Sequence, residues 1–514
     1  PEEVRAALHR YLIGKPTVVV SVVPAGKREL AATGRTPDQI ARESSFDRNA
    51  KPGAGPRPAL HTPRVWRETF ANGVRAIGTR GAEVPVTEIL IAIPGGRRSE
   101  SLDKLGVSSL TAQLMNEGTR KLSTTQLADA LDALGATLQI SSDDDELSLR
   151  LSALDKNLKA SVALLGDALL EPRFDSADFD RMRKRRLVAI DTRGDSIRTV
   201  AGNAFRRLLY GDADVLGFPD DGTKATVSKL TLDDVKAFHA QALAPGRSRV
   251  AVVSALEPLA VRELLSPLMS RWKAPAGAPA ADLAAASAAR GAGIGRPGVI
   301  YLVDKPGASQ SELRVGHVGI AKNDPDNDAV SVVNYVLGGA FSSRINMNLR
   351  EAKGYTYGAR TAFDGGLVAG PFFMSAGVKA GDTAPALTET LKELTAIGDG
   401  VKPEELAFAK SAMEQAMTGS FESPQARIRL VDDIAKFGYS DDVLEKRAGV
   451  IEGLTEVESK RLATKHIRTG DMVILVVGDK KQIGASLAES GKTVVELDID
   501  GRTLEAEGRA PAGG

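Results

Sequence analysis

The chain has 514 residues, of which 42% are hydrophobic and 26% charged, and its formal net charge is +1. This length exceeds what one hydrophobic core normally serves, so two or more domains are expected, and the small net charge gives no reason to expect a nucleic-acid or membrane surface. The absence of cysteine excludes disulfides, thiolate nucleophiles and cysteine metal sites, and no apolar run reaches the length of a membrane span.

The first thirty residues combine an amphipathic helix with an apolar strand, and this unit occurs three times. The copies read VRAALHRYLIGKPTVVVSVVP near residue 4, VKAFHAQALAPGRSRVAVVSAL near 235 and ESKRLATKHIRTGDMVILVVGD near 458. In each copy a polar turn precedes a β-branched run, which is typical of a buried strand. Repetition on this scale indicates repeated domains.

A second, longer repeat defines those domains. The segment GVRAIGTRGAEVPVTEILIAIPGG (73–96) matches GVIYLVDKPGASQSELRVGHVGI (298–320), and both read as strand, polar turn and strand. Each is followed by two helices, a pair of strands, a helical stretch and the helix–strand unit. We therefore predict an α+β protein of two homologous domains, each an antiparallel sheet with helices packed on it.

The repeats also set the predicted boundaries. The first domain spans 61–275 and the second 299–490, and residues 1–30 are predicted to be the tail of a third, preceding copy. Residues 31–60 and 276–298 are rich in Pro, Gly and Ala and are interpreted as linkers. Residues 491–514 are predicted to be a C-terminal tail, disordered over its last dozen residues.

The first domain contains no evident catalytic constellation. Its segment GVSSLTAQLMNEGT (106–119) is predicted to be a helix, and SSDDDE (141–146) is interpreted as a turn between two strands, with calcium binding as the alternative.

No two of the five histidines of the chain lie at a spacing that would hold a metal. We expect His317 to be a strand residue bonded to backbone, and His239 and His466, at equivalent repeat positions, to serve helix packing. The other two are His9 and His61.

The second domain contains a helix followed directly by a strand. In SSRINMNLREAKGYTYGAR, Ser342 or Ser343 is the candidate helix cap and Gly354 the stop signal. Arg350 is placed in the last helical turn. The period then changes to two, which predicts one strand face made of Tyr355, Tyr357, Ala359 and Thr361.

Local preferences alone explain Arg350 and Tyr357, because an arginine suits a helix C-terminus and a tyrosine suits a strand. The internal repeat provides a control. LDALGATLQ of the first domain aligns with LREAKGYTYG, which places Leu131 at the position of Arg350 and Leu138 at that of Tyr357. The fold itself therefore does not require this pair.

The domain arrangement and the motif GGAFSSRINMNLREAKGYTYG resemble the insulysin/pitrilysin/mitochondrial processing peptidase-like family of zinc metallopeptidases, the inverzincins. Members of that family have two halves of two such domains, and the catalytic half carries H-x-x-E-H on a helix of its first domain. At the corresponding positions this chain has Ser109, Ala112 and Gln113. The family's later glutamate ligand falls at Ile190 or Asp191. The resemblance thus implies that this chain holds no zinc.

The same resemblance implies a role for the motif. In the family's non-catalytic half, the residues matching Arg350 and Tyr357 reach the substrate bound at the zinc of the catalytic half. Both side chains donate hydrogen bonds at neutral pH and suit a scissile carbonyl and its oxyanion. Tyr355 stands where the family has an apolar residue.

The expected function is therefore the non-catalytic, substrate-binding half of a two-half zinc metalloendopeptidase acting on extended peptides. The partner bearing H-x-x-E-H and zinc is either the upstream part of the same precursor or a separate subunit in a heterodimer. Alone, this chain is expected to bind no catalytic zinc and to cleave no peptide.

Two other functions remain open: a catalytically dead scaffold subunit and a stand-alone peptide-binding module. The chain starts at Pro1 without a signal-like segment, so it is interpreted as a piece of a longer protein. A bacterial periplasmic or secreted location is expected from the resemblance, and a cytoplasmic one stays open.

Overall fold

The computed structural model describes residues 2–33, 60–81, 83–274, 293–419 and 421–504. The chain divides into two compact units, Pro1–Pro58 and Ala59–Gly514. Most of the two predicted linkers, and the last ten residues of the predicted tail, lie outside the described residues. No helix in the described part is long and apolar enough to cross a membrane.

The first unit contains one α-helix, α1 (Glu2–Tyr11), none of whose residues is buried. The following apolar run, TVVVSVV, belongs to no strand of the described residues. Four of its five valines are exposed, with Val18 at 87% and Val22 at 93%. The expected helix is present, whereas the expected burial of the strand is absent from this part of the chain.

The second unit begins with the first repeat domain, built around a six-stranded sheet of order β1-β2-β6-β3-β5-β4. In chain order its elements are β1 (Val65–Thr69), β2 (Arg75–Arg80), β3 (Val86–Pro94), α2 (Val107–Met115), α3 (Thr124–Leu134), β4 (Ala136–Ser142), β5 (Glu146–Leu154), α4 (Leu158–Leu170), α5 (Ser176–Thr192), α6 (Ile197–Tyr210), α7 (Lys224–Val227), α8 (Leu232–Ala242), β6 (Arg249–Ser254) and α9 (Pro258–Arg271).

The second repeat domain has a sheet of order β12-β7-β11-β8-β10-β9. Two of its helices, α10 and α11, continue as π-helices, Tyr335–Gly339 and Met347–Ala352. In chain order the elements are β7 (Ile300–Asp304), β8 (Gln310–Val318), α10 (Asn327–Asn334), α11 (Arg344–Asn346), β9 (Thr356–Phe363), β10 (Pro371–Lys379), α12 (Thr383–Ala396), α13 (Pro403–Gly419), α14 (Pro424–Phe437), α15 (Val443–Gly453), α16 (Glu456–His466), β11 (Val473–Gly478), α17 (Lys480–Ala488) and β12 (Val494–Leu497).

The α+β prediction with two homologous domains is confirmed, since strands and helices follow in the same order in both. The sheets are not purely antiparallel as predicted, because β2 pairs with β6, and β7 with β11 and β12, in parallel. The strand β12 falls in the predicted tail 491–514. Its backbone adds to the edge of β7, so the second domain continues past residue 490.

The two domains exchange one helix each. Val200, Ala204 and Leu208 of α6 pack in one buried cluster with β7 and β11 of the second sheet. At the equivalent repeat position, α14 packs its Ile428 and Val431 against β2, β3 and β6 of the first sheet. The two domains therefore share their apolar cores, and α6 belongs in space to the second domain.

A buried ionic network fixes α14 to the first sheet. Arg249 of β6 binds both oxygens of the Glu146 carboxylate and donates at 2.7 Å from Nε to Asp432 of α14. Lys436, one turn later, lies 2.9 Å from Glu146. Burial opposes ionisation of Glu146, but the hydrogen bonds and charges of Arg249 and Lys436 together outweigh it, so the pKa of this carboxyl lies below its usual value.

Candidate functional site

The helix predicted over residues 106–119 is α2, which begins after Gly106 and ends at Met115. Gly106 has a φ of 91°, in the left-handed region that favours glycine. Ala112 is buried, Ser109 is half-buried and Gln113 is exposed. None of these three side chains offers the imidazole or carboxylate that a zinc ion needs.

A buried arginine lies against the first of these positions. Arg186 of α5 donates from one terminal nitrogen to the Ser109 hydroxyl at 2.6 Å and to the Gly106 carbonyl at 3.1 Å. Burial lowers the pKa of Arg186, against the attraction of Asp221 and other nearby carboxylates. A guanidinium at this place disfavours a divalent cation, so the local residues do not fit a zinc ion.

At the two candidate positions for the later glutamate zinc ligand, the side chains also have other roles in the structure. Ile190 packs against the hydrophobic core of the first domain. Asp191 lies at the surface, where it pairs with Lys224 at 2.7 Å.

The buried histidines have structural partners, as predicted. His239, in the last turn of α8, contacts the Leu169 carbonyl at 2.8 Å. The equivalent His466, in the last turn of α16, contacts Asp326 at 2.7 Å. His317 of β8 uses one ring nitrogen on the Val318 carbonyl and accepts from the Arg468 backbone with the other.

Within the described residues, one group of side chains has the ligand types and spacing of a metal site: Asp324, Asp326 and His466. Two cations of the chain already occupy it, since the Asp326 carboxylate lies 2.6 Å from Lys465 Nζ and 3.3 Å from Arg461. The Lys465 hydrogen bond is the main reason that the pKa of Asp326 falls to about 2. The cluster therefore serves to fasten α16 beside α10.

The acidic run 141–146 is a turn between β4 and β5, as predicted. Arg97 pairs with Asp144 and Arg98 with Asp145, each at 2.7 Å, while the Asp143 carboxylate accepts from the backbone of the turn. These residues line a cavity of about 890 Å³ on the first sheet. Ion pairs within the chain thus replace the calcium alternative.

Arg350 lies in the π-helical continuation of α11, which ends at Ala352 and is followed by Gly354 with a φ of 67°. Its guanidinium carbon stacks 4.4 Å from the centre of the Phe341 ring, and its Nε lies 3.2 Å from Glu351. Asn346 fixes this helix to β9, because it accepts from Ala359 N and donates to the Phe341 carbonyl.

Tyr357 lies at a β-bulge. Residues Thr356 and Ala359 of β9 face partners on β10 that are only two residues apart, so one extra residue stands between them. The Thr356 hydroxyl stabilises the irregularity by donating to the Gly377 carbonyl at 2.7 Å. Tyr357 is 85% exposed, whereas Ala359 and Thr361 are buried. The prediction of one common strand face for these three residues is therefore wrong, because a bulge re-aims the side chain.

The bulge also changes the repeat comparison. By strand register, Leu138 of β4 corresponds to Ala359, and Thr137 corresponds to the bulge that carries Tyr357. The first domain has no extra residue at this point. The first sheet therefore forms without the bulge and without the tyrosine. The repeat comparison still shows that the fold does not require Tyr357, with Thr137 replacing Leu138 as the counterpart.

A cavity of about 540 Å³ lies on the second sheet beside Tyr357. Tyr357 lines it, and so does Phe341, on which Arg350 stacks. Residues of β8, β9 and β10 form the floor, and α6 of the first domain contributes Arg198. The structure thus places Tyr357 in the lining of this cavity and Arg350 in contact with one of its lining residues, Phe341.

Comparison with known proteins agrees with this architecture. A family model described as Insulinase (Peptidase family M16) matches residues 80–201, and one described as Peptidase M16 inactive domain matches residues 229–413. Together the matches span more than half of the chain. The chain belongs to the M16 peptidase family. It is a non-catalytic M16 protein, as the match to the inactive-domain model indicates.

Individual M16 relatives cover most of this chain. An uncharacterized zinc protease of Mycobacterium leprae is 25% identical over 368 residues, 70% of this chain and 80% of that protein. One of Streptomyces coelicolor is 25% identical over 354 residues, 68% and 76% of the two chains. The solved peptidase M16 inactive domain of Pseudomonas fluorescens superposes with a TM-score of 0.74 at 23% identity, covering 81% and 98%. The similarity to that solved structure shows a common fold and nothing further.

The sequence did not single out several charged residues of this M16 site. Arg186, Arg198, Arg314 and Arg360 were not assigned a role from the sequence. Arg314 stands between the apolar residues Leu313 and Val315 in the middle of a strand, and that position was the available signal. Arg198 was beyond sequence reasoning, because it reaches the cavity through the helix exchange.

Proposed function

We propose that this M16 protein is the substrate-binding half of a two-half zinc metalloendopeptidase and supplies Arg350 and Tyr357 to the active site of a partner half. The observation that carries the proposal is the exposed Tyr357 on a bulge, in the lining of a cavity whose Phe341 contacts Arg350. A large aromatic side chain that is mostly in solvent gains little from burial, so its placement favours a role in binding.

The chemistry of the pair suits peptide hydrolysis. The Tyr357 hydroxyl and the Arg350 guanidinium are donors that stabilise negative charge on a carbonyl oxygen without giving up a proton. In the proposed complex, they hold the scissile carbonyl while the partner supplies H-x-x-E-H and its zinc. This chain orients the peptide and stabilises the oxyanion, and the partner half activates the water.

The exposed apolar run of the N-terminal unit supports the proposal that this chain has a catalytic partner half. Its helix and apolar run repeat the α8–β6 and α16–β11 units, whose strands are buried at the third position of six in their sheets. The equivalent valines, including Val18 and Val20, are exposed here. We infer that this segment completes the sheet of a preceding domain in the catalytic half.

Reconstitution tests the proposal. The chain is mixed with a separately expressed upstream half, or the full precursor is expressed, and cleavage of an extended fluorogenic peptide is followed. Tyr357→Phe and Arg350→Ala should each lower kcat on the order of a hundredfold, as expected for loss of one oxyanion donor, with the zinc content of the assembly unchanged.

Tyr355→Phe is the matched control, because this neighbouring tyrosine is half-buried and packs on the core of the second domain. It should retain near-wild-type activity. Near-wild-type rates in both Tyr357→Phe and Arg350→Ala would reject the site. An assembly that contains zinc but cleaves no extended peptide would favour the scaffold alternative.

A further inference from the structure

A row of polar side chains crosses three strands of the second sheet beside Tyr357. Arg314 of β8 stands opposite Ser375 of β10, and Ser375 stands opposite Arg360 of β9. All three line the cavity of about 540 Å³. Because directly opposed residues of antiparallel strands project to the same face, two arginines flank one serine in this cavity.

A third arginine comes from the first domain. Arg198 lies in the first turn of α6, the exchanged helix that packs on the second sheet, and it lines the same cavity. Glu312 is the one acidic residue of the lining. Three arginines therefore face one carboxylate, and neither Arg198 nor Arg360 has an ion-pair partner in the described part of the chain.

Arg314 is the most buried of the three arginines. It is only 8% exposed, with a terminal nitrogen 3.0 Å from Glu312 and an Nε without any hydrogen-bond acceptor. Burial lowers the pKa of Arg314, and the charges of Arg360 and Arg198 lower it further, against the attraction of Glu312. A buried cation with one shared counter-ion is unfavourable for folding, so an anion in the cavity would stabilise it.

The first domain shows that the fold does not need this charge. By strand register, Leu90 of β3 occupies the position of Arg314, and Gln139 of β4 occupies that of Arg360. The corresponding cavity there contains acids and bases in similar numbers, several of them paired with each other. Excess positive charge is thus specific to the cavity that holds Tyr357.

We propose that Arg314, Arg360 and Arg198 form an anion subsite that binds a carboxylate of the peptide substrate. The inference deepens the proposed function and rests on it. Arginine pairs with carboxylates through charge-assisted hydrogen bonds, often two at once, which makes it selective as well as attractive. The carboxylate is that of an acidic side chain or that of the peptide's C-terminus.

The position of the subsite predicts where this carboxylate lies in the substrate. Arg360 is three residues beyond Tyr357 along β9, a span of about 10 Å at the rise of a strand. A peptide running along β9 with its scissile carbonyl at Tyr357 would place a side chain or chain end about three residues away at the arginines.

Binding of three short peptides to the full chain tests the subsite. One has an internal Glu and an amidated C-terminus, the second has Gln instead of Glu, and the third has Gln and a free C-terminus. Each carries a neutral fluorophore, and anisotropy gives Kd. We expect one carboxylate peptide to bind about tenfold more tightly than the neutral one, which also identifies the source of the carboxylate.

The variants take residues from the equivalent positions of the first domain. Arg360→Gln, at an exposed residue, and Arg314→Leu should both abolish the preference, while Arg185→Gln on the exposed face of α5 removes the same charge and should preserve it. Equal affinity of the wild type for all three peptides overturns the anion subsite alone. Failure to bind any peptide overturns the proposed peptide binding as well.

Discussion

The guanidinium of the buried Arg186 is hydrogen-bonded to the hydroxyl of the half-buried Ser109 at 2.6 Å. The family resemblance assigns Ser109 to the position of the first histidine of the motif. The loss of the metal site therefore involves more than missing ligands, because a cation of the chain now lies beside the place where a ligand would stand.

Restoring the ligands should not be sufficient to restore zinc binding. In Ser109→His/Ala112→Glu/Gln113→His/Ile190→Glu, the retained Arg186 repels a divalent cation at short range. Adding Arg186→Met should raise zinc affinity at least about tenfold over the variant that retains the arginine. Competition with a chromophoric chelator measures both, and equal affinities would show that Arg186 does not influence the site.

The network around Arg249 should be a major source of stability. Arg249→Met leaves Glu146 and Asp432 buried with Lys436 as their remaining cation, so the free energy of unfolding should fall by about 3–5 kcal/mol in urea titrations. Arg67→Met is the control. It breaks an ion pair with Asp441 in which both side chains are more than half exposed, and the expected loss is below about 1 kcal/mol. Similar losses in the two variants would contradict the assignment.

His317 should make stability depend on pH. Burial is the main reason that its pKa is lowered to about 4 in the folded protein, from about 6.5 for an exposed histidine. The unfolded chain therefore binds a proton first, so this stabilisation is complete above pH 6.5 and is lost as the pH falls towards 4.

The loss amounts to about 3 kcal/mol below both values. Urea unfolding at several pH values should show a steeper decline for the wild type than for His317→Gln over this range. Parallel pH profiles would mean that His317 titrates normally.

Removal of residues 1–30 should leave the folding of the second unit unchanged and abolish assembly with the catalytic half. The second unit, Ala59–Gly514, contains both sheets, so its thermal unfolding should be unaffected. Association with the catalytic half should be lost, because the apolar strand that completes the partner's sheet is gone. Co-elution in size-exclusion chromatography measures this. Val20→Asp is the matching point variant, and full assembly of either protein would reject the role of the segment.

Much of the fold was predictable because repetition and apolar periodicity are local properties of the sequence. The repeats located the strands from β2 to β11. The residue types at positions 109, 112 and 113 exclude the zinc ligands of the family motif at those positions. Arg350 and Tyr357 were selected by a motif and an internal comparison. Tyr357 lines a cavity and Arg350 contacts Phe341 of its lining, while the role of both residues in substrate binding stays a prediction.

The errors came from features without a local signature. The bulge in β9 adds one residue and shifts the register. Tyr357 therefore does not share a strand face with Ala359, and Leu138 is not the counterpart of Tyr357. The strand β12 was taken for a tail because its four residues are too few to show a pattern.

The sequence by itself determined that the molecule is a repeated α+β protein without zinc ligands and with a donor pair in one domain. Only the tertiary structure decided which sheet each helix covers, that Arg186 faces Ser109 and that three arginines surround one cavity. The physical reason is that an apolar stripe specifies burial but not the partner surface. Charges from distant segments, in turn, influence one another only once packing has brought them within a few ångströms.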